Sequence, residues 1–200
     1  MEIIIHRVNK ISQLKKVKKI YGTEIDIRAK GSKLILNHNP SQNGDYLKDY
    51  LKNYEHGTLI LNIKESGIED EVLKLAKENK HIKSYFLLDV EIPYMFKCIK
   101  NREKNLAVRY SVYENIQFAK QFIGKFNWLW IDTYKKLPEI KKDRKIINNF
   151  MTCLVCPERW GQEEKISEYW KIIKKSKIKI DYVMTSINTS KKWEKIIKSI

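Results

Sequence analysis

Eight short apolar runs alternate with eight amphipathic stretches along the 200-residue chain, and this rhythm restricts its fold more than any other feature. The runs cover residues 3–6, 23–28, 59–64, 85–89, 106–110, 128–132, 150–156 and 180–184. Each is short and rich in Ile, Val, Leu or aromatic residues, as strands are. Residues 11–20, 46–54, 68–79, 93–104, 115–122, 139–148, 162–174 and 190–197 carry helical patterns between them. In 68–79, for example, Ile68, Val72, Leu75 and Ala76 share one face, with Glu and Lys opposite. A further run, 33–37, follows Gly31 and forms a hairpin with the end of the second strand. Strands joined by helical crossovers are parallel. A closed (β/α)8 barrel and an open doubly wound sheet both accommodate the pattern, and the count of eight favours the barrel. The expected architecture is one α/β domain over residues 1–200, a compact (β/α)8 TIM barrel with a small β-hairpin insertion after strand 2.

Composition narrows the function classes. The chain is 42% hydrophobic, enough to bury a core without a disulfide or metal staple. It has no run of 18 apolar residues, so no transmembrane segment is expected. Seven Gly and four Pro exclude collagen-like and low-complexity classes. Three Cys make no disulfide framework and fit a reducing compartment. Met1 leads directly into a strand pattern and not into a secretory signal, so a cytoplasmic location is expected. The net charge is +16, from 40 Lys+Arg against 24 Asp+Glu. Nearly all the cations are Lys, and they are spread over every predicted helix. That distribution favours generic basicity over a nucleic-acid footprint, and no specific nucleic-acid partner is expected. Oligomeric state is not legible.

In a barrel, residues at the C-terminal ends of the strands line one mouth. Those ends carry His6 and Arg7, Glu24 and Asp26, Asn62 and Lys64, Asp89, Arg109 and Ser111, Asp132 and Tyr134, Glu158 and Arg159, and Thr185 and Ser186; His38 follows the hairpin. Glu24 and Asp26 are two apart on a strand and share a face. Such a pair repels unless a cation lies between its members, and hard divalent ions such as Mg²⁺ or Ca²⁺ take oxygen ligands of this kind. Ile25 and Ile27 occupy the other face, which packs against helices. Two histidines flanking an acidic pair suit general acid–base work on phosphorus, with Arg7 and Lys64 supplying charge to phosphate oxygens. Cys153 and Cys156 are three apart on a strand and face opposite ways, which argues against a zinc or redox pair. Trp128 and Trp130 read as packing residues. Asp89, Arg109, Glu158 and Arg159 are candidate substrate-binding residues.

His6-Arg7, then Glu24-x-Asp26, then Asn37-His38-Asn39-Pro40, then Asn62-Ile63-Lys64 resemble the opening of the glycerophosphodiester phosphodiesterases. That family has His-Arg on its first strand, Glu-x-Asp on its second, His-Asp-Pro after a short hairpin and Glu-x-Lys on its third. The strand at 180–185 is similar to the family's closing strand. The specific signal lies in the first 64 residues; the middle shares only the βα rhythm. The resemblance implies a (β/α)8 barrel, a divalent metal, and hydrolysis of a phosphodiester to a phosphomonoester and an alcohol. It implies His6 and His38 as the acid–base pair, Glu24, Asp26 and Asn62 as metal ligands, and Arg7 and Lys64 as phosphate-binding residues. Three positions depart from the pattern: Val8 replaces Gly, Asn39 replaces Asp, and Asn62 replaces the third metal carboxylate. The site then has one negative charge fewer, which weakens metal binding or shifts it toward Ca²⁺. The expected partner is a small polar phosphodiester, phosphoglycerol- or nucleotide/sugar-linked. The alternative is a catalytically impaired barrel that binds a phosphorylated metabolite or a partner.

Overall fold

The strand that carries the acidic pair is the longest, β2 (Gly22–Lys30), and its first six residues are buried. Burial on both faces is what a central parallel strand requires, and it explains Ile25 and Ile27 alternating with Glu24 and Asp26. The computed structural model describes residues 1–198. They form ten strands and eight α-helices. The chain divides into two compact units, Ile4–Phe96 and a second made of Met1–Ile3 with the chain from Lys97 onward.

In the unit Ile4–Phe96, the end of β1 (Glu2–Ile5) pairs in parallel with β2 through Ile4 and Ile5, and β2, β5 (Leu59–Ile63) and β6 (Tyr85–Leu88) pair in parallel. Helices α1 (Ile11–Leu14), α2 (Leu47–Lys52) and α3 (Glu69–Glu78) connect them. On α3, Val72, Leu75 and Ala76 are buried as expected, and Glu69, Asp70 and Glu71 occupy the first turn, where the helix dipole favours negative charge. The hairpin is present. After Lys30 the chain turns through Gly31, at φ 59°, and β3 (Lys33–Leu36) returns antiparallel to β2. The left-handed conformation explains the glycine. A short strand, β4 (Asp45–Tyr46), pairs with β3. Gly44, just before it, lies so close to Leu36 that a Cβ would stand 2.1 Å from the Leu36 carbonyl oxygen.

Several boundaries differ from expectation: the helix expected over 93–104 covers Ile92–Lys100, that expected over 162–174 covers Ile166–Ser176, and two further differences have a clear physical reason. The helix expected over 11–20 ends at Leu14. Lys15, Lys16, Lys18 and Lys19 follow with no acidic residue among them, and like charges at helical spacing oppose continuation. The helix expected from residue 46 begins at Leu47, because Asp45 and Tyr46 are drawn into β4.

In the second unit, β7 (Ala107–Tyr110), β8 (Trp128–Ile131), β9 (Met151–Val155) and β10 (Tyr182–Thr185) pair in parallel. Helices α5 (Ile116–Lys120), α6 (Ile140–Ile147), α7 (Ile166–Ser176) and α8 (Ser190–Lys198) alternate with them, and α4 (Ile92–Lys100) precedes β7. Glu2 N–H donates to the Asp181 carbonyl at 2.8 Å. Trp128 and Trp130 are buried, as their reading as packing residues requires. Cys153 and Cys156 are buried thiols, and the Trp193 indole N–H lies 2.9 Å from Cys156 Sγ. No helix among the described residues is long and apolar enough to cross a membrane.

Candidate active site

Parallel pairing places the exits of β1, β2 and β5 side by side. In register, Asp26 lies opposite Asn62, and Ile5 opposite Thr23. His6 and Arg7 leave β1, Lys64 leaves β5 and Asp89 leaves β6. The hairpin brings His38 back to the same place, since Leu36 is paired with Ile27 and the Asn37 N–H donates to the Asp26 carbonyl at 3.0 Å. All these residues belong to the unit Ile4–Phe96.

Asp26 is 1% exposed and is the hub. Its Oδ1 lies 3.2 Å from His38 Nδ1 and 3.4 Å from Lys64 Nζ. Its Oδ2 accepts from Asn9 Nδ2 at 2.9 Å and lies 3.7 Å from Arg7 Nε. Burial on its own would raise the Asp26 carboxyl, but Asn9, His38 and Lys64 outweigh it and hold the group below the ordinary aspartate value. A carboxylate only accepts, so the His38 hydrogen sits on Nδ1. Arg7 Nη2 lies 2.8 Å from His38 Nε2 and 3.0 Å from its Nδ1, against both ring nitrogens. Lys64 Nζ also reaches Asp89 Oδ2 at 3.2 Å.

Glu24 is equally buried but differently partnered. Its Oε1 accepts from Asn62 Nδ2 at 2.8 Å, and its Oε2 accepts from the Arg7 backbone N–H at 2.8 Å. That backbone contact accompanies a left-handed conformation at Arg7, φ 55°. For a non-glycine residue this costs about 1 kcal/mol. His6 Nε2 stands 3.8 Å from Glu24 Oε2. Burial first, and then the charge of Asp26, pushes the Glu24 carboxyl up to about 7. In the unfolded chain it titrates near its ordinary value, 4.5. Between those values the fold keeps a proton the unfolded chain has released, so this residue's contribution to stability is lost as pH rises from 4.5 to about 7. In chelator-treated buffer, the melting temperature of Glu24→Gln relative to the wild type is expected to rise by roughly 5 °C between pH 5 and pH 8. A pH-independent difference would contradict the assignment.

The residues fit a hard cation. Among the described residues no group of three or more His, Cys, Asp or Glu side chains converges on a metal position. The two carboxylates do lie on one strand face, however, and Asn62, hydrogen-bonded to Glu24, brings a third oxygen beside them. Asn62 Oδ1 is buried and has no hydrogen-bond partner, in a residue 7% exposed beside Glu24. An unpaired buried oxygen next to a carboxyl raised by burial and by a neighbouring negative charge is a donor set that positive charge relieves.

The other three candidates lie in the second unit. Arg109 donates to Glu114 and to Asp132, each at 2.8 Å, and Asp132 is also held by the indole N–H groups of Trp160 and Trp130. Glu158 Oε1 accepts from Thr185, Thr189 and the Ser186 backbone ahead of α8. Arg159 lies over the Trp160 ring. Two residues at the first site escape sequence reasoning. Asn9 pairs reciprocally with Asp26, its Oδ1 accepting the Asp26 N–H at 2.8 Å, and nothing in the pattern marks it. Arg28 shares a strand face with Glu24 and Asp26, a signal that was present but carried no motif. Val8, at the position of the family's glycine, is buried in the core.

No protein-family model matches the sequence, and no curated protein matches it. Solved structures do. A protein of Agrobacterium tumefaciens designated a glycerophosphoryl diester phosphodiesterase superposes with a TM-score of 0.70 at 7% identity, over 100% of this chain and 99% of that one. A glycerophosphodiester phosphodiesterase from Thermotoga maritima gives 0.67 at 16% identity, over 92% of this chain and 94% of its own. A second one from Agrobacterium tumefaciens gives 0.64 at 11% identity, over 92% and 96%. The chain therefore has the (β/α)8 TIM-barrel fold of glycerophosphodiester phosphodiesterases.

Proposed function

We propose that this chain is a phosphodiester hydrolase of the glycerophosphodiester phosphodiesterase type, acting on a small polar phosphodiester. The observation that carries the reading is the convergence of His6, Arg7, Glu24, Asp26, His38, Asn62 and Lys64 at adjoining strand exits. Arg7 and Lys64 hold the non-bridging phosphate oxygens, exchanging contacts they now make with His38, Asp26 and Asp89. The two imidazoles serve as the acid–base pair. One takes the proton of the attacking hydroxyl or water as the P–O bond forms, and the other protonates the departing alkoxide as its P–O bond breaks. Asp26 fixes the His38 tautomer by accepting from Nδ1. Asp89, Arg109, Glu158 and Arg159 remain the candidates for contacts to the substrate's alcohol groups. The three buried thiols support a reducing, cytoplasmic setting.

We also propose that a divalent cation, Mg²⁺ or Ca²⁺, is held by Glu24, Asp26 and Asn62. When bound it supplies positive charge to the phosphate. Titration calorimetry of the chelator-treated protein tests this. Asn62→Glu is expected to bind Ca²⁺ at least about tenfold more tightly than the wild type, because it restores a full charge to the donor set. Equal affinities would contradict the assignment.

Inorganic phosphate tests the anion pocket. Arg7→Ala and Lys64→Ala should each weaken phosphate binding by about tenfold, the size of one charge-assisted contact. Unchanged binding in both variants would overturn the placement of the phosphate. The alternative, a barrel that binds a phosphorylated metabolite without turnover, draws on the Asn62 amide bonded to Glu24 where the family has a carboxylate. It predicts the same phosphate affinities and no hydrolysis.

A further inference from the structure

We propose that Arg28 is a positioning residue, holding His38 and Lys64 at a fixed spacing by gripping the backbone of both. The inference rests on the phosphodiesterase reading of the site and assigns a role to a residue outside its acid–base, metal and phosphate sets.

Alternation along β2 places Arg28 on the face of Glu24 and Asp26. Its side chain is only 17% exposed. Nε and Nη2 donate to the His38 carbonyl, at 3.1 and 3.0 Å, and Nη1 donates to the Lys64 carbonyl at 3.1 Å. The same Nη1 lies 3.5 Å from Glu65 Oε2, and Glu65 Oε1 accepts the Ala29 N–H at 2.5 Å. One guanidinium therefore joins two segments far apart in sequence, the hairpin exit and the β5 exit.

The two residues it grips are those whose side chains meet at Asp26 Oδ1, His38 at 3.2 Å and Lys64 at 3.4 Å. Each segment is also tied to β2, through Asn37 N–H on the Asp26 carbonyl and Lys64 N–H on the Ile27 carbonyl. Those bonds fix each exit to β2; Arg28 fixes the exits to each other. The geometry requires a planar fork with several N–H groups, which Arg has and the compact ammonium of Lys lacks. Arg28 directs its hydrogen bonds at the His38 and Lys64 backbone carbonyls, away from the phosphate-binding side chains. Its loss should therefore appear in the chemical step and leave ground-state binding nearly intact.

The test compares wild type, Arg28→Lys and Arg28→Ala on a phosphodiester that the wild type hydrolyses. Arg28→Lys is expected to lower kcat about thirtyfold with KM changed less than about threefold, because small misplacements of catalytic groups lower rates steeply. Millimolar guanidinium ion should restore part of the kcat of Arg28→Ala. A wild-type kcat in Arg28→Lys, or a raised KM with kcat kept, would overturn the proposal. If Arg28→Ala does not fold, Arg28→Lys alone decides.

A second readout needs no turnover. In ¹⁵N-histidine spectra, inorganic phosphate should shift the His6 and His38 imidazole signals of the wild type. In Arg28→Lys the His6 response should persist and the His38 response should be lost. An unaltered His38 response in that variant would overturn the positioning role. Absence of hydrolysis in the wild type would instead count against the phosphodiesterase reading, leaving this second readout to decide the role of Arg28.

Discussion

Alanine at position 38 is expected to lower the turnover number for phosphodiester hydrolysis by about a thousandfold, within the range that one acid–base group supplies. The imidazole stands where the hairpin returns to β2, with Nδ1 beside Asp26 and both ring nitrogens close to Arg7 until that guanidinium turns to a phosphate. No other described imidazole makes this pair of contacts. His6, the other member of the proposed pair, stands beside Glu24, and His6→Ala should show a fall of similar size. The double variant should be scarcely slower than either single one, because the two act as a unit. KM should stay within a few fold, since Arg7 and Lys64 hold the phosphate. The His38 side chain is 41% exposed and adds little to the core, so the melting temperature should hardly move. Steady-state kinetics with a thermal melt check all of this. Near-wild-type turnover in both single variants would remove the acid–base assignment.

The largest effect on stability is expected for Asp26→Ala. This carboxylate is 1% exposed and faces Lys64, Arg7 and His38, with Asn9 donating to its outer oxygen. Its removal leaves Lys64, itself only 16% exposed, without its closest buried counter-charge, and strands the Asn9 amide. Breaking a buried pair from one side costs about 3 kcal/mol. Relief of repulsion on Glu24 offsets part of that without reversing it. For a chain of this size the melting temperature should fall by about 8 °C. Asp26→Asn keeps the shape and an oxygen acceptor, so it should lose less stability while still losing activity. Calorimetry on the three proteins separates the two roles. An Asp26→Ala protein that melts with the wild type would contradict the hub assignment.

The fold was legible because its strands are apolar runs bounded by polar residues, and because β2 alternates two isoleucines with two acids on a strand buried on both faces. Less legible were elements decided by a few residues. The lysines after Leu14 cut α1 short, and β4 is a two-residue strand that exists only because β3 offers it an edge. The core of the site was legible from the order of His6-Arg7, Glu24-x-Asp26, His38 and Lys64. Asn9 and Arg28 were not, because their partners are a carboxylate and backbone carbonyls distant in sequence. Arg109 and Glu158 show the reverse. Both look available at strand ends, yet Asp132 and Glu114 hold the first and Thr185 and Thr189 the second, contacts that only tertiary packing creates.

Phosphorus NMR of a phosphodiester panel incubated with the purified protein tests the central claim most directly. The panel contains glycerophosphodiesters, nucleotide-linked glycerols and sugars, and cyclic phosphates, each with Mg²⁺, Ca²⁺ or chelator. The account predicts a new phosphomonoester or cyclic-phosphate resonance from at least one member, dependent on the cation and absent in His38→Ala. No new resonance across the panel, from a protein that is folded and binds inorganic phosphate, would contradict the hydrolase reading and leave the phosphate-binding barrel.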